Sequence, residues 1–302
     1  MVAINRGYWF LLLILLSSTC YGVSPVIGSK LYVIHAADTD DPKIGKFIKI
    51  NKPQFEELVR SQIRPDRLAS FNALTSDDCS AESLLAEVRG LQINPVDTVL
   101  VFYQGHGAYD GNAPQSDPDK GHFFAMPGGD LPRGKLVDVL RAKSPRLLVL
   151  VSDCCNVKGT MHVPQRLVFE SKSTTVTGWT HFEELMFCHR GVVDATASSL
   201  NEFSWYSDDV GGWFSTKMIE RFASRSNDAP VNWTALWPEL SQQTENFFQA
   251  QKIKYQGSHP ELTAQKHMRP LAFRLEATRE DPSDTPTETV TFTYTIGISV
   301  PE

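Results

Sequence analysis

Four short runs of the chain are almost continuously apolar: Leu31 to Ala36, Val99 to Tyr103, Leu147 to Val151 and Gly191 to Ala195. This is the pattern of strands buried on both faces of a parallel sheet. Between them the apolar positions switch to a helical period. Phe55, Leu58, Val59 and Ile63 share one helix face, Leu84, Leu85, Val88 and Leu91 share another, and Leu136, Val139 and Leu140 repeat the pattern. RLASFNAL, residues 67 to 74, predicts a further strand. Strands alternating with helices predict an α/β fold: a mostly parallel central sheet with helices on both faces. Beyond Ala195, Phe214, Met218 and Phe222 recur every fourth residue, and a second helical stretch runs from about Trp233 to Phe248. Residues 278 to 302 begin as a Pro/Asp/Thr linker. They end in an alternation of Val290, Phe292, Tyr294 and Ile296 that predicts a late strand.

Composition narrows the picture. With 302 residues, 41% of them hydrophobic, the chain can bury one sizeable core, expected over residues 28–277. The net charge of −6, with no basic stripe, argues against nucleic acid as a partner. At the N-terminus, Arg6, the apolar run Tyr8 to Leu16 and the small residues after it have the order of a secretory signal, expected over residues 1–22. The mature chain is then secreted or periplasmic. An uncleaved membrane anchor is the alternative, although the run falls short of the ~20 apolar residues of a spanning helix. Cys20 resembles a lipoprotein box only loosely. The other four cysteines, Cys79, Cys154, Cys155 and Cys188, do not suggest a disulfide framework in a chain this long. A Cys79 to Cys188 bridge stays open.

Ligands of open parallel sheets bind beyond the carboxyl ends of the strands, and two of those ends are chemically loaded. TVLVFYQ stops at Gly105-His106-Gly107, and LLVLVS stops at Asp153-Cys154-Cys155. An imidazole beside a thiol is the requirement for an activated cysteine nucleophile. Adjacent residues just past a strand point to opposite faces, so one cysteine of the pair can meet His106 and the other is a buried, inert thiol. The plainer alternative is that both are small core residues.

The stretches VFYQGHG and LVSDCCN, with His106 49 residues before Cys155, resemble the caspase and metacaspase family of cysteine peptidases, closer to the metacaspase and paracaspase type. Gly191-Val192-Val193, Ala195 to Ser198 and Gly212 to Ser215 extend the resemblance over approximately residues 30 to 275. It implies a caspase-like three-layer sandwich acting on a polypeptide substrate without a cofactor or metal. Cys155 would be the nucleophile, two positions after the aspartate, and His106 the general acid and base. The backbone N–H groups of Gly107 and Cys155 would form the oxyanion hole. Asp153 and Gln104 would line the S1 pocket and favour a basic P1 residue, and no third triad member is evident. The sequence departs from the family in having Asn51-Lys52 for an Asn-Asp pair, Gln104 for a small polar residue and Val157 for a glycine. A lysine at position 52 threatens to neutralise Asp153.

Several other features carry less. Lys158, Arg166 and Lys172 make the following loop a candidate for self-processing, and no acidic residue there suggests calcium activation. A zinc site from His106, His162, Cys154 and Cys155 fits no standard spacing. His122, His181, His189 and His259 are expected at the surface or in packing. Asn232-Trp233-Thr234 is a glycosylation sequon. Phe203, Trp205, Tyr206 and Trp213 wall a pocket or belong to the core. A silent caspase-fold binding domain and a vicinal-thiol redox module are the competing functions, and a monomer is favoured over a strand-edge dimer.

Overall fold

A computed structural model describes residues 28–114, 116–117, 119–158, 181–224, 231–255 and 259–280. The signal segment with Cys20, the processing loop with His162, Arg166 and Lys172, and the alternating tail all lie outside these residues.

The chain runs β1 (Leu31–Ala37), α1 (Gly45–Gln62), β2 (Leu68–Thr75), α2 (Ala81–Gly90), β3 (Thr98–Gln104), and then a hairpin sheet of β4 (His106–Tyr109), β5 (His122–Met126) and β6 (Gly129–Pro132). It continues with α3 (Arg133–Arg141), β7 (Leu147–Asp153), α4 (His181–Phe187), β8 (His189–Thr196), β9 (Tyr206–Ser207), β10 (Gly211–Gly212) and α5 (Trp213–Ala223). The last elements are α6 (Trp233–Lys254), α7 (Pro260–Ala264), β11 (Leu271–Leu275) and β12 (Thr278–Arg279). Among the described residues the main sheet has the order β11-β8-β7-β3-β1-β2, with β12 also paired to β8. β2, β1, β3, β7 and β8 are parallel, and β11 and β12 are antiparallel to β8.

Alternation along the central strands explains the three layers. Leu100 and Phe102 of β3, with Val149 and Val151 of β7, pack on one face against Phe55, Leu58, Phe182, Phe214, Met218 and Trp233. Val99, Val101, Leu148 and Leu150 pack on the other against Leu84, Leu85, Val88, Leu136, Val137 and Leu140. Every residue of β3 and β7 is buried, which is why neither run shows a polar face in the sequence. The predicted strands and helices that fall within the described residues are all present, and the late strand expected over Val290 to Ile296 lies outside them. In α3, however, the buried partner of Leu136 and Leu140 is Val137, and Val139 is only partly buried.

Two features with an open reading resolve in packing terms. Asn232 of the sequon caps α6, its Oδ1 accepting the Ala235 N–H at 2.7 Å. Trp205, Tyr206 and Trp213 are 1%, 2% and 0% exposed and belong to the core. Cys79 and Cys188 are both free and buried, so no bridge joins them. Among the described residues no helix is long and apolar enough to cross a membrane.

One buried cation ties α3 to the sheet. Arg133, 0% exposed, donates to Asp194 Oδ1 at 2.6 Å, to Ser152 Oγ at 2.8 Å and to the Ala195 carbonyl at 2.6 Å. Breaking a buried pair strands a charge, so Arg133→Ala is expected to lower unfolding free energy by about 3–5 kcal/mol. Arg133→Met combined with Asp194→Leu is expected to recover much of that loss. Urea unfolding of both variants checks the pair, and equal losses in the two would count against it.

Candidate active site

The site is assembled by strand pairing. β3 and β7 lie side by side in parallel, with Gln104 opposite Asp153 in the last rung. Past the strand ends the two segments stay paired: Gly105 N–H reaches the Asp153 carbonyl at 3.3 Å, Tyr109 N–H reaches the Val157 carbonyl at 3.0 Å, and Tyr109 bridges Lys158 in parallel. Gln104–Asp153 and Tyr109–Lys158 are both 49 positions apart, the same offset as His106 and Cys155. One register therefore brackets His106 and Cys155 and runs their backbone segments side by side.

Gly107 is required by this closeness. A Cβ there would lie 2.7 Å from Cys154 Sγ and 2.8 Å from the Cys155 carbonyl oxygen, inside any real contact distance. The backbone of β4 thus rests directly on the cysteine pair. The segment after Cys155 is pinned from the far side, where Asn156 N–H donates to the Glu202 carbonyl at 3.0 Å and Ser198 Oγ to the Cys154 carbonyl at 3.1 Å.

The two cysteines separate as strand alternation requires. Cys154 is 0% exposed and packs in the α2–α3 core, with its sulfur 3.6 Å from both His122 Nε2 and Thr196 Oγ1. Burial pushes its thiol up to about 11, and burial pushes His122 well below the usual imidazole value. Both partners are neutral and sealed from solvent. His122 is accordingly a packing residue, its ring set against Phe124 and Phe273. Cys155 retains 8% exposure and His106 6%. Burial pushes the Cys155 thiol up to about 12 and lowers His106. Among the described residues, Cys155 Sγ is directed at the Ser204 carbonyl, 3.8 Å away, and His106 Nε2 lies 3.0 Å from Asp41 Oδ2. Among the described residues no hydrogen bond joins the two side chains; it is their backbone segments that run side by side.

Asp41 is a site residue that the sequence reading missed. It lies in the Thr39-Asp40-Asp41-Pro42 turn just past β1, which is the next strand after β3 in the sheet. Inspecting that third strand end by the rule applied to the other two would have found it.

Asp153 is 0% exposed, and its carboxylate is fully engaged by the Ser204 hydroxyl, the Ser215 hydroxyl and the Ser215 N–H at 3.1 Å. Its carbonyl accepts the Tyr206 hydroxyl at 2.7 Å. Burial raises this carboxyl above its ordinary value, and the serine hydrogen bonds oppose the rise. Because Ser215 is in the first turn of α5, Asp153 also serves as that helix's N-terminal acceptor. Gln104, equally buried, pairs with His35 Nε2 at 3.0 Å and donates to Ser215 Oγ at 2.9 Å. Lys52 does not approach Asp153 and instead pairs with Glu56 one helical turn along. Asn51 holds the corner over Asp153, donating to the Val210 carbonyl at 2.8 Å and accepting the Gly212 N–H. Ser204, Tyr206 and Ser215 gave no local signal, because they reach Asp153 from more than fifty residues away.

Three residues beyond His106 and Cys155, between Tyr109 and Lys158, a cavity of about 930 Å³ opens, walled in part by Asp110, Asp117, Asp119 and Asp130. Among the described residues no group of three or more His, Cys, Asp or Glu is placed to hold a metal ion.

With this geometry on the page, comparison with solved structures is informative. The chain superposes on the crystal structure of caspase-1 from Spodoptera frugiperda with a TM-score of 0.50, covering 86% of this chain and 89% of that one at 11% sequence identity. The fold is caspase-like. No family model and no curated protein matches the chain. The three-layer arrangement is therefore shared at a level where almost no residue identities survive, which is why short motifs carried the resemblance.

Iodoacetamide added to the native protein is expected to label Cys155 ahead of Cys154, Cys79 and Cys188, with Cys154 reacting only after unfolding; comparable native labelling of Cys154 would refute the separation. A second expectation concerns Asp38, whose carboxyl is raised to about 6, chiefly by burial and then by Asp41. A carboxyl raised on folding contributes stability below its unfolded value, and that contribution is lost as pH rises through about 6. Asp38→Asn should flatten the decline of unfolding free energy between roughly pH 4 and 7, measured by urea titration at each pH.

Proposed function

We propose that this chain is a caspase-like cysteine endopeptidase, nearer the metacaspase type, that hydrolyses polypeptides through Cys155 and His106. The observation that supports the reading is the common 49-position offset, which runs the backbone segments of His106 and Cys155 side by side past neighbouring strand ends, with small residual exposures of 6% and 8%. Cys155 Sγ attacks the peptide carbonyl while its proton passes to His106, and the tetrahedral oxyanion is received by the N–H groups of Gly107 and Cys155. Such donors are worth about 3 kcal/mol each when preorganised. His106 then protonates the departing amine, leaving a thioester that water hydrolyses with His106 as base. The acidic cavity beyond Tyr109 and Lys158 offers room for chain on one side of the cut.

Specificity for arginine or lysine at P1 follows from Asp153, whose charge Lys52 leaves unopposed by pairing with Glu56. The Ser204 and Ser215 hydroxyls that occupy the carboxylate are neutral donors that a guanidinium replaces on binding. The enzyme would be exported through residues 1–22, or held at a membrane by them, and would act as a monomer.

One observation favours a second reading, a catalytically silent binding domain. The Cys155 thiol is directed at the Ser204 carbonyl, and Asp153 has no exposed surface. Peptidyl thiol-reactive probes with arginine or aspartate at P1 separate the two, with the modified residue mapped by mass spectrometry. Labelling of Cys155 by the arginine probe, lost in Cys155→Ala and His106→Ala but kept in Cys154→Ala, is the expected outcome. Preference for the aspartate probe would overturn the specificity. Absence of labelling by either, with Cys155 no more reactive than Cys154, would overturn the peptidase. Asp153→Asn is expected to lower kcat/KM for arginine substrates at least about 10-fold, roughly the worth of one charge-assisted hydrogen bond.

A further inference from the structure

We propose that Asp41 is the positioning residue of the His106–Cys155 pair: its carboxylate holds the imidazole with the proton on Nε2 and turns Nδ1 free to exchange the thiol proton. This inference rests on the peptidase reading and assigns that site a third member contributed by the loop after β1.

The two oxygens of Asp41 have separate duties. Oδ1 accepts the Lys43 N–H at 2.7 Å and the Ile44 N–H at 2.8 Å, and the Asp41 carbonyl accepts the Gly45 N–H at 2.9 Å. These bonds fix the carboxylate at the start of α1. Oδ2 takes no part in that turn and instead lies 3.0 Å from His106 Nε2. The side chains of His106 and Asp41 are only 8% and 14% exposed, so the contact is partly shielded from water. A turn-forming aspartate needs one oxygen; the second is aimed at the imidazole.

The chemistry follows from donor and acceptor rules. An ionised carboxylate only accepts, so Nε2 must carry the hydrogen, and in a neutral ring Nδ1 is then unprotonated. The His106 backbone is already set by β4–β5 pairing and by the Tyr103 hydroxyl bound to its carbonyl at 2.9 Å. Ring orientation and tautomer are what remain to be fixed, and Asp41 fixes both. When Cys155 attacks, its proton moves to Nδ1, the sulfur electron pair forms the thioester bond, and the imidazolium faces the Asp41 charge until the proton leaves with the amine.

The charged groups facing His106 are Asp41 and Lys43 from the β1–α1 loop. Burial lowers His106, Asp41 raises it, and Lys43 lowers it. Removing the Asp41 charge therefore drives the imidazole lower still. Asp38, raised to about 6 by burial and then by Asp41, is a second titrating group beside Asp41, so Asp38→Asn serves as the control.

The test is ¹⁵N-histidine NMR of the mature chain across pH 5 to 9, with the His106 signal assigned through His106→Gln. The unmutated protein is expected to show the Nε2–H tautomer. Asp41→Asn preserves an acceptor for Lys43 and Ile44 and is expected to lower the His106 titration midpoint by about one unit, the effect of losing one nearby opposite charge. With an arginine substrate the same variant should lose about 10²-fold in kcat at nearly unchanged KM, and the acid limb of its pH profile should move to lower pH. An Nδ1–H tautomer in the unmutated protein, or an unshifted midpoint in Asp41→Asn, would overturn the proposal. Were Asp41→Asn to misfold, the unmutated tautomer would still decide it. Since that reading needs no turnover, loss of the peptidase hypothesis and loss of the Asp41 role are distinguishable outcomes.

Discussion

The parallel ladder between β3 and β7 is the constraint on which the site depends. Its last rung joins Gln104 to Asp153, and its register persists past the strand ends to Tyr109 and Lys158. A shift of one residue would reverse the facing of every side chain in a strand. Here it would put Cys154 where Cys155 stands and aim His106 away. Burial on both faces prevents that slip, because Val99 and Val101 belong to one core and Leu100 and Phe102 to the other. The same packing that stabilises the fold therefore sets the backbone of the His106 segment beside that of the Cys155 segment.

Around this ladder the structure places polar groups where apolar ones would be cheaper to bury. Asp153 lies fully buried beneath Ser204, Tyr206 and Ser215, and Arg133 lies fully buried against Asp194 and Ser152. Each is satisfied by hydrogen bonds, which is the condition for tolerating it. Both sit at or next to the carboxyl end of β7, and Asp153 gathers the 204–207 segment and the start of α5 around Cys155. Asn51 then ties α1 to the same corner. These contacts orient the walls of the site more than they stabilise the core.

The sheet order also explains why three strand ends contribute chemistry. β7, β3 and β1 are consecutive in space, so Cys155, His106 and Asp41 leave the sheet at neighbouring strand ends, where Asp41 meets His106. Cys154 and His122 form a thiol–imidazole contact of their own, closed off in the α2–α3 core. Proximity of a cysteine and a histidine thus does not by itself identify a reactive pair.

The strands, the helix faces and the neighbouring strand ends that carry His106 and the two cysteines were legible in the chain, because hydrophobic period and residues just past strand ends are local properties. That the two adjacent cysteines differ in burial, Cys154 at 0% and Cys155 at 8% exposed, needed only the alternation of a strand. What the tertiary structure decided was every contact made across long separations. Asp41 meets His106 from 65 residues away, and Ser204 and Ser215 meet Asp153 from 51 and 62 residues away. Lys52, adjacent in sequence to a pocket position, is spent on Glu56. Amino-acid order determines which side of an element a residue occupies, but which distant side chain arrives to share its charge depends on how the elements pack, and that is where the electrostatics of this site are set.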